Sequence, residues 1–279
     1  MVLDTGETTR LGKGLQAGGK LDPANIRASI DCLTRFRSLC QREGVQEIAA
    51  VGTNALRMAR DTDQFIQLVH KECGITPRVI SEEEEALLSF LSVQQDPRMP
   101  SEAVVMDVGG GSTEYIFRKG KGSSRPLQCS SLPLGALRLT EEFLHGDPPK
   151  RDEVTKLRNK INKTLLQIPS HREGALVGIG GTATTLGSMH LGLEAFDQER
   201  INGLQLTIDT LRVHIEQLQE KDLATRKQIR GLPPERADII MAGTMIILSS
   251  MERLKKKTIH ISCHGLRYGL FYQRFMGAE

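Results

Sequence analysis

Tryptophan is absent from the 279 residues, and all aromatic side chains together make up only 4%. Base-stacking platforms and aromatic sugar clamps are built from such rings, so neither is a good candidate here. A surplus of one charge is also missing: 37 Lys and Arg stand against 34 Asp and Glu, and 37 − 34 = +3. So mild a balance does not point to a nucleic-acid partner. The five cysteines, Cys32, Cys40, Cys73, Cys129 and Cys263, are odd in number and form no C-x-x-C pair. This argues against a disulfide framework or a zinc ribbon and for a reducing compartment. No apolar run approaches the ~20 residues a bilayer requires, and the stretch at 239–248 is broken by Gly243 and Thr244. The opening residues Met1-Val2-Leu3-Asp4-Thr5-Gly6 lack the basic head and apolar stretch of a signal peptide. The expectation is a cytoplasmic protein with no membrane partner. With 39% apolar and 25% charged residues, the chain reads as an ordinary globule long enough for roughly two domains.

Periodicity then gives the outline. Asp22-Pro23 offers an N-cap followed by an N1 proline. Ile26, Ile30, Leu33 and Phe36 recur at helical spacing before Gly44, which predicts a long amphipathic helix. Residues 47–51 read as a buried strand, 54–60 and 63–73 as helices, and 77–80 as another strand. The polar stretch 94–101, with Pro97 and Pro100, is the expected hinge. It divides an N-terminal α/β domain (1–98) from a C-terminal α/β domain (99–279). The second half restarts with a strand at 103–106, a glycine turn and a returning strand at 114–118. Helices near 134–145 and 153–168 lead to a second strand-and-glycine turn at 175–182. A long helix (234–254), a strand (258–262) and a closing helix from 264 follow.

Three features carry chemistry. Gly109, Gly110 and Gly111 follow a β-branched strand, so successive N–H groups can point into one concavity suited to an oxyanion. Asp107 beside such a loop would repel phosphate unless a cation lay between them, which implies Mg²⁺ held mainly through water. Ser112 and Thr113 can add hydroxyl donors. The plainer alternative is a tight hairpin whose glycines only solve the turn. The second turn, Gly178 to Thr182, opens a helix and offers another anion site, or else glycines that let helix and strand pack closely. Its match to G-x-G-x-x-A is a weak dinucleotide signal. The acidic run Glu82-Glu83-Glu84-Glu85 after Ser81 fits helix capping. It equally fits crowded carboxylates that raise one another's pKa and supply a general base. Arg57, just past the strand end at Gly52-Thr53, is either a bidentate phosphate ligand or a solvated helix arginine. His260 and His264 can share a metal only if the strand ends between them.

Taken together, these motifs resemble the exopolyphosphatase and guanosine pentaphosphate phosphohydrolase family (Ppx/GppA) of the actin and sugar-kinase-like superfamily. The markers are Thr9-Arg10-Leu11-Gly12, Gly52-Thr53-Asn54-Ala55-Leu56-Arg57, Ser81 with Glu84-Glu85-Ala86, and the segment from Asp107 to Glu114. Ser131-Leu132-Pro133-Leu134-Gly135-Ala136, Gly178 to Thr182, Arg236-Ala237-Asp238 and Gly265-Leu266-Arg267-Tyr268-Gly269-Leu270 complete the set. The resemblance implies two ribonuclease-H-like α/β domains facing a cleft, and Mg²⁺-dependent hydrolysis of a terminal phosphoanhydride. It makes Glu85 the residue that activates water and Arg57 a phosphate ligand. Gly109, Gly110, Gly111 and Ser112 become a phosphate loop, Asp107 and Glu114 its metal acids, and Gly180, Gly181 and Thr182 a further phosphate turn. The implied substrates are polyphosphate or guanosine pentaphosphate, with a homodimer as the commonest assembly. Family members carry a strand and a first phosphate loop, D-x-G-[ST]-N-[ST], upstream of the Arg10 motif. No such loop occurs in this sequence, so the expectation is a truncated first domain, without the C-terminal helical region of longer members, and a chain that either hydrolyses polyphosphate or only binds it.

Overall fold

A computed structural model describes residues 3–7, 9–16, 18–118, 126–168 and 173–277. The chain divides into two compact units, Met1–Glu85 and Ala86–Glu279.

In the N-terminal unit, helix α1 (Pro23–Arg42) starts where Asp22 accepts hydrogen bonds from the N–H groups of Ala24 (2.9 Å) and Asn25 (3.0 Å). That satisfies donors which the helix itself leaves unpaired. A strand β1 (Val51–Gly52), helices α2 (Asn54–Met58) and α3 (Thr62–Cys73), and a strand β2 (Arg78–Val79) follow. The core gathers Ile30 of α1, Leu56 of α2, and Phe65, Val69 and Cys73 of α3. β1 and β2 pair in parallel over only two residues each. The buried strand expected at 47–51 therefore shrinks to its end, and Ile48 is 38% exposed. Among the described residues β2 is the one strand that pairs with this segment, so only its end joins a ladder.

Helix α4 (Glu82–Gln94) begins in this unit and continues into the next. The division thus falls inside a helix rather than at the Pro97–Pro100 stretch. The cause lies in the packing: Ala86, Phe90 and Val93 of α4 are buried against Val105, Ile116 and Val177.

The C-terminal unit is built on six strands. β3 (Ala103–Val108) turns back into β4 (Thr113–Arg118), which pairs antiparallel with β5 (Leu127–Leu132). Helices α5 (Ala136–Phe143) and α6 (Arg151–Thr164) precede β6 (Ala175–Ile179), which lies parallel to β3. After α7 (Gly180–Leu191) and α8 (Gln198–Ile201) come β7 (Gln205–Thr207), α9 (Ile208–Gln219), α10 (Leu223–Arg226) and α11 (Ile240–Leu254). β8 (Thr258–Ile261) and α12 (Leu266–Met276) close the chain. The sheet order is β5-β4-β3-β6-β8-β7. Side chains alternate across β3: Val104, Met106 and Val108 join the large core that includes α11, while Val105 faces the α4 side. α11 is buried on almost every face, as expected of a helix that is apolar all round. The helix expected over 234–254 is interrupted. Pro234–Arg236 forms a separate 3-10 turn, and α11 starts only at Ile240.

Candidate functional site

Each unit assembles its own subset of the singled-out residues. In the N-terminal unit, α2 delivers Arg57 and the first turn of α4 delivers Glu85. Nη1 of Arg57 donates to the Ile80 carbonyl (3.0 Å) and to Oε2 of Glu85 (2.7 Å). Both side chains are half-buried, at 21% and 33% exposed, so solvent screens the pair only in part. Arg57 is therefore not a solvated helix arginine; it is oriented by a carbonyl and a carboxylate.

The capping and general-base readings of the acidic run divide by residue. The N–H of Glu84 donates to Ser81 Oγ (3.1 Å), while its carboxylate reaches Arg78 (2.7 Å). Crowding was expected to raise a carboxyl pKa in this run. For Glu83 and Glu84 the shift goes the other way. Glu83 is lowered by its own backbone N–H and then by the Ser81 hydroxyl, and Glu84 by the Arg78 guanidinium. Hydrogen bonds to the ionised form outweigh mutual repulsion at these two residues.

In the C-terminal unit the two glycine turns sit at the ends of the adjacent parallel strands β3 and β6. The N–H of Gly109 donates to the Ser112 carbonyl (2.9 Å), which closes the first turn. The N–H groups of Gly110, Gly111 and Ser112 meet no acceptor among the described residues. The carbonyls of Gly109 and Gly110 face the other way and accept from the N–H groups of Ala136 (2.9 Å) and Arg138 (3.0 Å) in the first turn of α5. Gly135 permits this approach, because a Cβ there would lie 2.1 Å from the Gly110 oxygen. The result is a turn fixed from behind, with three successive N–H donors that have no acceptor among the described residues and so can serve an anion.

Asp107 and Glu114 stand opposite each other in the β3–β4 register, so both carboxylates leave the same face at the turn end of the hairpin. Oε1 of Glu114 accepts from the hydroxyls of Ser112 (2.6 Å) and Ser131 (2.9 Å). The single hydroxyl proton of Ser112 is thus directed at Glu114. Two carboxylates supplemented by water are a donor set that Mg²⁺ accepts, so the residues present fit that ion.

The second turn starts α7 without a side-chain cap. Gly180 has φ +77°, and a Cβ on it would fall 2.3 Å from Oδ1 of Asp107. Thr182 is 4% exposed, and its hydroxyl donates to the Val108 carbonyl (3.0 Å). Its side chain therefore ties the two turns together.

Sequence spacing gave no role to Arg236, which reaches the turn from the segment before α11. The space a Cβ on Gly181 would take is filled by this guanidinium, with Nη2 at 2.2 Å from that position. Arg236 makes no hydrogen bond or ion pair with a described residue, and burial pushes its pKa down. A half-buried cation beside a helix N-terminus is an anion-binding arrangement. His264 lies elsewhere in the unit, with Nδ1 3.2 Å from buried Asp96 and its ring stacked on Tyr268.

Comparison with known proteins gives the family. A sequence profile of the Ppx/GppA phosphatase family matches residues 1–276. Exopolyphosphatase 2 of Mycobacterium tuberculosis is 30% identical over 89% of this chain and 80% of its own length. The bifunctional 3-dehydroquinate synthase/phosphatase of Fusobacterium nucleatum is 28% identical over 92% of this chain, which spans 39% of that longer protein. Among solved structures, the Aquifex aeolicus member of the Ppx/GppA family superposes with a TM-score of 0.84 at 31% identity, covering 99% of this chain and 89% of that one.

Proposed function

The chain belongs to the Ppx/GppA phosphatase family, and from that premise we propose that it is a phosphoanhydride hydrolase releasing terminal phosphate from inorganic polyphosphate. The observation that carries this reading is the first glycine turn: three unspent N–H donors beside the paired carboxylates Asp107 and Glu114. Donors alone would suit any anion. Carboxylates alongside them suit an anion that arrives with a divalent cation, as polyphosphate does.

The residues divide the work. The N–H groups of Gly110, Gly111 and Ser112 hold the phosphate oxygens, and the guanidinium beside Gly181 holds another. Asp107 and Glu114 would hold Mg²⁺, which would supply charge neutralisation to the bound phosphate. Glu85 takes a proton from the attacking water, whose oxygen forms the new bond to phosphorus as the bridging P–O bond breaks. Orthophosphate and a chain shorter by one unit leave. Arg57 serves twice, orienting the Glu85 carboxylate and binding a phosphate oxygen. With no tryptophan and few other aromatics for a guanine to stack on, inorganic polyphosphate is the favoured substrate. Guanosine pentaphosphate is the competitor to test against it.

The test is phosphate release from long-chain polyphosphate and from guanosine pentaphosphate in Mg²⁺, with Arg236→Ala alongside wild type. Turnover of polyphosphate, with a KM raised by about tenfold in the variant, is the expected result. Turnover of the nucleotide alone would replace the substrate. Binding of polyphosphate without any release would make the chain a polyphosphate sensor.

A further inference from the structure

We infer that Arg138 binds the phosphate one unit inward from the terminal one. This rests on the polyphosphate reading and deepens it. Arg138 lies in the first turn of α5, and its own N–H donates to the Gly110 carbonyl (3.0 Å). Helical side chains lean toward the N-terminus of their helix. For Arg138 that lean is toward the N-terminal end of α5, the end that abuts the glycine turn through this backbone bond.

Two observations set Arg138 apart from an ordinary surface arginine. Glu141 and Glu142 stand three and four residues further on, the spacing at which helix ion pairs form. Neither pairs with Arg138, which makes no side-chain hydrogen bond or ion pair among the described residues and is exposed. The first turn of a helix is, moreover, an unfavourable place for a cation, because the macrodipole is positive there. Folding alone gives no reason for a guanidinium at this position, whereas a polyanion seated on the neighbouring turn does. The terminal phosphate occupies the N–H groups of Gly110, Gly111 and Ser112, so the next phosphate is the one left to the long side chain.

The experiment compares wild type, Arg138→Ala and Arg138→Lys. The readouts are equilibrium binding of triphosphate and long-chain polyphosphate at two salt concentrations, steady-state kinetics on the same chains, and inhibition by orthophosphate. For Arg138→Ala we expect Kd and KM for triphosphate and long chains alike to rise about tenfold, with kcat within about twofold and orthophosphate inhibition unchanged. Lysine should restore part of the affinity. Melting temperature should stay level or rise, because an unfavourable dipole contact is removed. Unchanged Kd and KM would overturn the inference, as would an equal loss for orthophosphate, which would place Arg138 at the terminal phosphate. If wild type binds polyphosphate without releasing phosphate, the hydrolase reading fails and the affinity of Arg138→Ala still decides this one. If wild type does not bind it, both fall.

Discussion

The two units hold their functional groups in different ways. In the C-terminal unit, backbone donors are aimed by a six-stranded sheet buried on both faces, with the turns at the ends of neighbouring strands β3 and β6. In the N-terminal unit, two-residue strands and a core around Ile30, Phe65 and Val69 stand behind Arg57 and Glu85. Backbone N–H groups cannot be re-aimed without moving the chain, so a nest of them needs a stiff scaffold. An ion pair sets its own geometry: Arg57 and Glu85 orient each other, with the Ile80 carbonyl as the third point. Chemistry carried by side chains tolerates a sparser frame than chemistry carried by the main chain.

The largest effect should come from Glu85→Gln, which keeps the shape and removes the proposed base. Phosphate release should fall by ~10²–10⁴-fold while polyphosphate still binds, and undiminished release would remove Glu85 from the mechanism. Next is Gly135→Ala, which removes no group assigned to substrate but drives a methyl into the backbone of Gly110. A displaced turn should cost on the order of 10²-fold in turnover; an unaffected rate would show that the turn does not need its rigid backing. Third, Phe65→Ala should remove about 3–5 kcal/mol from the N-terminal unit. Calorimetry should show one unfolding transition lowered and another kept, whereas a single transition shifted as a whole would mean that the units do not melt separately. The smallest effect is at Glu153, whose carboxylate accepts from the N–H groups of Lys150 (2.8 Å) and Gly146 (3.1 Å). The Lys150 N–H first, and then those of Gly146 and His145, hold its pKa below the usual glutamate range. Its contribution is therefore present above that range and lost as pH falls through the lowered folded value. Glu153→Gln should flatten the acid limb of the stability profile by about 1 kcal/mol or less, and an unchanged limb would assign acid unfolding to other carboxylates.

Sequence reasoning located most of what depends on local pattern. The Asp22 cap, the hairpin around the three glycines and the glycine start of α7 all follow from residues adjacent in the chain. β5 and β7 did not show: Leu127–Leu132 alternates polar and half-buried positions, and Gln205–Thr207 is three residues at a sheet edge. Such strands exist because a neighbour offers a ladder, a fact no short window contains. Arg236 escaped for a similar reason, since its contact with Gly181 joins segments far apart in sequence. For Thr182 the motif suggests a phosphate contact, and the β3–β6 pairing adds what the motif could not show, a Val108 carbonyl that accepts from its hydroxyl. For the acidic run, spacing correctly marked Ser81 as a cap but could not foresee that Glu84 would turn to Arg78.

The neighbouring glycines at the start of α7 leave a trace in how this sequence can drift. Each is held small by a different, oppositely charged side chain: Gly180 by Asp107 and Gly181 by Arg236. A side chain at 181 would need the Arg236 guanidinium to swing aside, and one at 180 would be strained by its φ of +77° besides meeting Asp107. Drift at 181 is therefore coupled to 236, and drift at 180 is restrained by the backbone as well as by 107. In relatives that have lost catalysis, these two pairs should loosen separately, the acidic one when cation binding is abandoned and the basic one when the anion is.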